Sequence, residues 1–154
     1  MKTSWWKVPL YCMAAGWICF ELEVRLLGRF AIVTLPDGSI TSDNTRWIIM
    51  CGILFVITIA VGGLFFFRRM SRQELFVSAS VMVALNVVCG LIAYKTNSIF
   101  SFYWTELTEW SSFVPQLLYR LQVNEWISAI LTWALPYLFL LFGKRRSNGS
   151  PQQG

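Results

Sequence analysis

From Trp47 to Phe67 the chain runs about 21 residues without a charged side chain, and Arg68, Arg69 and Arg72 follow at once. At roughly 1.5 Å per residue a helix of that length covers about 31 Å, the hydrocarbon thickness of a bilayer. The stretch predicts a membrane-crossing helix. Trp47 sits where an interfacial aromatic belongs, and the arginines mark the cytoplasmic end. One helix fixed in this way orients the others.

Composition agrees with a membrane protein. Of 154 residues, 56% are hydrophobic and only 14% charged, whereas about a quarter of a soluble domain is charged. The formal net charge of +5 does not point to nucleic acid, because the basic residues stand where apolar runs end. Cys12, Cys19, Cys51 and Cys89 lie inside apolar runs without CxxC spacing, so they read as buried free thiols and not as a zinc site or disulfide framework. Histidine is absent, which removes the commonest general base and metal ligand. No cofactor or metal is expected, and the chain is expected not to be an enzyme.

Three further spans complete an all-α integral membrane protein, a four-helix transmembrane bundle with spans at about 5–27, 47–67, 75–94 and 124–142. Residues 1–146 form its single domain, and 147–154 are expected to be a disordered cytoplasmic tail. The first apolar run continues past Ala14, Ala15 and Gly16 through Trp17 to Phe20, so it is expected to be retained and not cleaved as a signal peptide. Ser71 and Glu74 predict a capping box opening the third span. Pro136 is expected to kink the last.

The first span carries Glu21, Glu23 and Arg25 in its outer third. At 100° per residue, Cys12, Ala15, Gly16, Cys19 and Glu23 share one face, which packs inward through its small residues. Glu21 and Arg25 stand four apart on roughly the opposite side, placed to pair and to reach outward. An intramembrane charge is a functional candidate by default. On the third span Asn86 falls in a stripe with Ala79, Gly90 and Ala93, where its amide would hydrogen-bond a neighbouring helix or line a pathway. Glu21, Glu23, Arg25 and Asn86 are therefore the candidate polar site.

Two outer segments stand out. Between Phe30 and Thr41, alternation ahead of Pro36-Asp37-Gly38 reads as a short β-hairpin; the alternative is that residues 26–35 continue the first helix up to Pro36. From Ser98 to Val114, Phe100, Tyr103, Trp104, Leu107, Trp110 and Val114 fall on one arc, with Thr105, Glu106, Glu109 and Ser112 on the other. This predicts an amphipathic helix lying flat in the outer interface and broken by Pro115. Such a helix either packs as a lid over the outer end of the bundle or docks a partner; on the second reading Tyr103, Trp104, Leu107 and Trp110 form the candidate partner surface.

The basic residues Lys2, Lys7, Arg68, Arg69, Arg72, Lys144, Arg145 and Arg146 gather on one side, giving both termini in the cytoplasm and a plasma membrane, by expectation a bacterial inner membrane. The preferred function is an accessory or structural subunit, surrounded by lipid and docking a membrane-protein partner or a second copy through its outer segments. The alternative is a small oligomeric transporter or channel using Glu23 and Asn86. An enzyme built on Glu21, Glu23 and Arg25 lacks a histidine and any nucleophile motif.

Overall fold

The computed structural model describes residues 4–96 and 99–144. Helix α1 covers residues 7–31: an α-helix Lys7–Leu22, a π-helical segment Glu23–Leu27 and a last α turn Gly28–Ala31. An antiparallel hairpin follows, β1 (Ile32–Thr34) with β2 (Ile40–Ser42), in the register Ile32 to Ser42 and Thr34 to Ile40. Both readings of this region hold in part, since the helix runs to Ala31 and the hairpin begins at the next residue. Gly38 takes φ 81° at the turn, and Asp37 Oδ1 accepts from the Ser39 amide at 2.9 Å, the Asx bond that makes Asp a turn former.

Three helices are long and apolar enough to cross a membrane: α2 (Asn44–Phe67), α3 (Arg72–Thr96) and α6 (Glu125–Phe142). Each opens on a side chain that accepts the otherwise unpaired first-turn amides. Asp43 caps α2 by accepting from Thr45 N and Arg46 N. Ser71 and Glu74 form the predicted box, with Ser71 N donating to Glu74 at 2.9 Å and Glu74 N to Ser71 Oγ at 3.3 Å. Asn124 caps α6 through Trp126 N. In α6 the α-helix gives way at Leu135 to a 3-10 helix with Pro136 in its first turn, because Pro136 has no N–H to continue the ladder.

The bundle has two ends. At the arginine end, Lys144 N donates to Met70 O at 3.0 Å and Arg72 N to Lys144 O at 3.3 Å, tying the tail of α6 to the turn before α3. There Ser78 also ties α3 to the start of α1, accepting from Val8 N at 3.0 Å and donating to Trp5 O at 2.8 Å. The hairpin lies at the other end.

Between α3 and α6 the expected flat interfacial helix is replaced by a helical hairpin that enters the bundle. Helix α4 (Ile99–Thr108) runs back along α3, with Ser101 Oγ donating to Ala93 O at 3.1 Å, and reaches the middle of α1. A 3-10 turn (Glu109–Ser111) reverses the chain, and α5 (Phe113–Arg120) climbs α2 from Gly52, against the Phe113 ring, to the neighbourhood of Asn44 and Trp47. Trp110 at the tip is 3% exposed and stacks on Phe55 at 6.0 Å, so it belongs to the core and not to an outward docking surface. Pro115 does not break the segment. It occupies the first turn of α5, where a missing N–H costs no helical bond, and the reversal occurs before it.

Helix α4 gets this close because Gly16 has no side chain: a Cβ there would overlap the Leu107 carbonyl. Gly16→Ala should force α4 outward and cost about 1–3 kcal/mol as overpacking, lowering the melting temperature in detergent. Gly28→Ala, whose Cβ meets only Glu23 O at 3.5 Å, should hold or raise it, since Ala gains about 0.5–1 kcal/mol over Gly inside a helix.

Candidate functional site

The inward face expected of α1 is the buried one. Cys12 is 0% exposed, Ala15 9%, Cys19 3% and Glu23 4%. Glu21 and Arg25 form an ion pair on the outside, with 78% of the Arg25 side chain and 33% of the Glu21 side chain exposed. Such a pair contributes at most about 1 kcal/mol, and it takes no part in the interior. The three charges are divided along the helical period read from the sequence: Glu23 faces the bundle, and Glu21 and Arg25 face out on the other side.

Glu23 opens the π-helical segment of α1, a widening that often accompanies functional positions and re-aims the side chains within it. Its carboxyl meets the carboxyl of Glu109 at the tip of the α4–α5 hairpin, together with the Cys51 thiol of α2. The Ser112 hydroxyl stands beside both carboxyls, yet its buried oxygen makes no hydrogen bond of good geometry. Three elements therefore converge here: α1 brings Glu23, α2 brings Cys51, and the hairpin tip brings Glu109 and Ser112.

A carboxyl–carboxyl hydrogen bond requires at least one proton on the two groups, because two ionised carboxylates can only accept. Removing that proton would leave two charges in contact. At about 4 Å and an effective dielectric of 20 they repel by roughly 4 kcal/mol, a sizeable part of the ~5–15 kcal/mol that holds a domain together. The chemistry open to such a pair is the uptake and release of a proton. Among the described residues no group of three or more Cys, Asp or Glu is placed to hold a metal.

Asn86 is brought to a different place. It is 6% exposed, and its Oδ1 has no partner; instead of bonding a neighbouring helix it lines a cavity of roughly 350 Å³ between α3, α4 and α6. Of the predicted partner surface, Trp104 lines this same cavity, Leu107 packs its backbone on Gly16 and Tyr103 stays 56% exposed. Sequence reasoning missed Glu109 as the partner of Glu23. Its signal was present, an acid six residues before a proline in an aromatic segment, but polarity toward water and polarity toward a buried acid look alike in sequence.

If Glu23 and Glu109 touch, Glu23→Leu alone strands the Glu109 carboxyl, and the reverse holds for Glu109→Leu, each at about 1–3 kcal/mol for the orphaned group. The double variant leaves no orphan. In a double-mutant cycle followed by unfolding in detergent, it should be less destabilised than the sum by at least about 1 kcal/mol. Strict additivity would place the two carboxyls apart.

No protein family, curated protein or solved structure matches the chain.

Proposed function

We propose that this chain is a small proton-coupled membrane carrier, and the observation that carries the reading is the buried Glu23–Glu109 pair. An acid pair set between a long helix and the tip of a hairpin is costly to keep inside a membrane protein. Its chemistry is to take up a proton and to change its contacts when the proton leaves.

On this reading four helices cross the bilayer. The 25 residues of α1, 7–31, extend to about 37 Å, enough to span with tilt. Its Glu21–Arg25 pair snorkels toward headgroups, and both termini face the cytoplasm, with the arginine end inside. The α4–α5 hairpin then enters from outside and stops within the bundle. Non-helical backbone at that depth is tolerated because it is buried in protein, as Trp110 and Ser111 are.

The working cycle follows from the geometry. With its proton, the pair latches the hairpin tip to α1. When the proton leaves to water, two like charges face each other and the tip is driven off α1, a two-state element of the kind that couples one site to another. The Ser112 hydroxyl, beside both carboxyls, is placed to follow the proton. The accessory-subunit reading keeps less support, because of its four surface residues only Tyr103 is mostly exposed, and lipid would cover that ring as well as a protein would.

Two measurements check these statements. In a cysteine-free background, Ser39→Cys should react with an impermeant maleimide from outside intact cells, and Arg69→Cys only after permeabilisation; the opposite pattern would invert the topology. In proteoliposomes on a solid-supported membrane, jumps of a panel of organic cations, anions and neutral solutes should produce a current for one class, and Glu23→Gln should lower it at least tenfold. A correctly inserted protein giving no Glu23-dependent current with any class would remove the carrier reading.

A further inference from the structure

The cavity between α3, α4 and α6 lies across the hairpin tip from the carboxyl pair. Thr108 and Ser111 line it, while Glu109 and Ser112, within the same turn, meet Glu23. Its depth is about 12 Å, from Tyr94 and Glu125 at the mouth to Asn86 and Trp133 eight residues further along each helix. Tyr94 and Trp126 pack at the mouth with ring centroids 5.7 Å apart. Trp104 and Trp133 extend the aromatic wall inward, and Trp133 is seated on Gly90, where a Cβ would come within 2.9 Å of its ring.

The serine and threonine hydroxyls in this wall are biased toward accepting. Each hydroxyl has one hydrogen to give, and all three deep hydroxyls give theirs to backbone carbonyls. Thr108 donates to Trp104 O at 2.9 Å, Ser111 to Thr108 O at 2.8 Å and Thr132 to Ser128 O at 2.8 Å. Thr105, higher in the wall, donates to Ser101 O at 2.9 Å. What these hydroxyls have left is lone pairs. Asn86 adds a buried carbonyl oxygen without a donor, and Glu125 adds a carboxylate at the mouth. Among the described residues neither lysine nor arginine lines the space. Aromatic faces, orphaned acceptors and one carboxylate are together what an ammonium group on an apolar body requires.

We propose that this cavity binds a hydrophobic organic amine in its protonated form. The ammonium, with three hydrogens to give, donates to Asn86 Oδ1 and to lone pairs drawn from the hydroxyls of Thr108, Ser111 and Thr132, the tryptophan faces hold the body, and Glu125 draws the cation in. This deepens the carrier reading and rests on it for its role: the amine is the cargo, and one turn of backbone separates it from the proton that the acid pair holds.

The test uses the purified full chain in mild detergent, titrated calorimetrically with 4-phenylbutylamine, with its neutral analogue 4-phenylbutan-1-ol and with the anion 4-phenylbutyrate. The amine should bind saturably and at least tenfold tighter than either analogue. Asn86→Leu should weaken it tenfold or more, and Glu125→Gln several-fold, with the loss largest at low salt. The near-isosteric Thr132→Val keeps the proposal testable should Asn86→Leu fold poorly, and a loss of threefold or more is expected there. Equal affinity for the alcohol, preference for the anion, or amine binding that none of the three variants weakens would overturn it. In proteoliposomes, binding without pH-driven amine uptake would leave the site standing and remove the carrier reading; Glu23-dependent current on another class, with no amine binding, would do the reverse.

Discussion

The arrangement of this protein depends on one close approach, the backbone of Leu107 lying on Gly16 of α1. A helical hairpin can enter a helix bundle only where a neighbour offers room for its backbone, and membrane helices provide that room with small residues. Once α4 is admitted at Gly16, the rest follows from covalent geometry. Two and three residues further on are Glu109 and Trp110, and they come to lie beside Glu23 and beneath Phe55. Position 16 and position 23 lie on the same face of α1, about two turns apart. The helix that makes the contact possible therefore also supplies the acid that awaits its partner.

The aromatic core extends this principle. Tyr11 meets Phe67 at 5.3 Å and Phe139 at 5.7 Å, both edge to face, and Phe67 meets Phe139 at 4.7 Å. Rings this close contribute about 0.5–1.5 kcal/mol each beyond their burial. They join α1, α2 and α6 near the arginine end. Tyr11 adds a hydrogen bond of 2.7 Å to Thr58 O, on an α2 carbonyl one residue before Ile59. That end of the molecule is held by rings and by backbone bonds at Met70 and Lys144, while the two polar sites lie toward the hairpin end. A well-packed base and a polar upper half are the division that the proposed cycle requires, in which the hairpin tip moves and the helix packing does not.

Much of this was legible in the sequence, and the reasons are local. The apolar run before Arg68, the Ser71–Glu74 box, the Pro-Asp-Gly turn and the inward face ending at Glu23 each depend on residues within a few turns of one another, where period and capping chemistry suffice. The fate of residues 99–120 was not legible. An aromatic arc opposite Glu106 and Glu109 describes a helix lying in an interface as well as one whose polar side meets buried acids and hydroxyls, because periodicity reports that a helix has two faces and not what each face meets. Asn86 could be read in two ways for a related reason. A lone amide in an apolar stripe predicts a hydrogen bond, and only the packed structure shows that α4 and α6 leave a cavity beside it.

The two polar sites share one structural partition, and that sharing constrains any coupling between them. Thr108 and Ser111 are committed to the cavity and Glu109 and Ser112 to the acid pair, in a turn whose own hydroxyl bonds, from Thr108 to Trp104 O and from Ser111 to Thr108 O, are 2.9 and 2.8 Å long. A segment so short and so internally bonded would move as a unit in the proposed cycle. In the proposed cycle a displacement of Glu109 away from Glu23 carries Thr108 and Ser111 with it, so loss of the proton and loosening of the amine site become one event. Roughly 4 kcal/mol of repulsion approaches the ~5.5 kcal/mol that would move a two-state equilibrium from one part in a hundred to ninety-nine. Linkage then acts in both directions: an ammonium ion seated on the hairpin favours the latched, proton-bearing pair by the same factor with which the proton favours the amine.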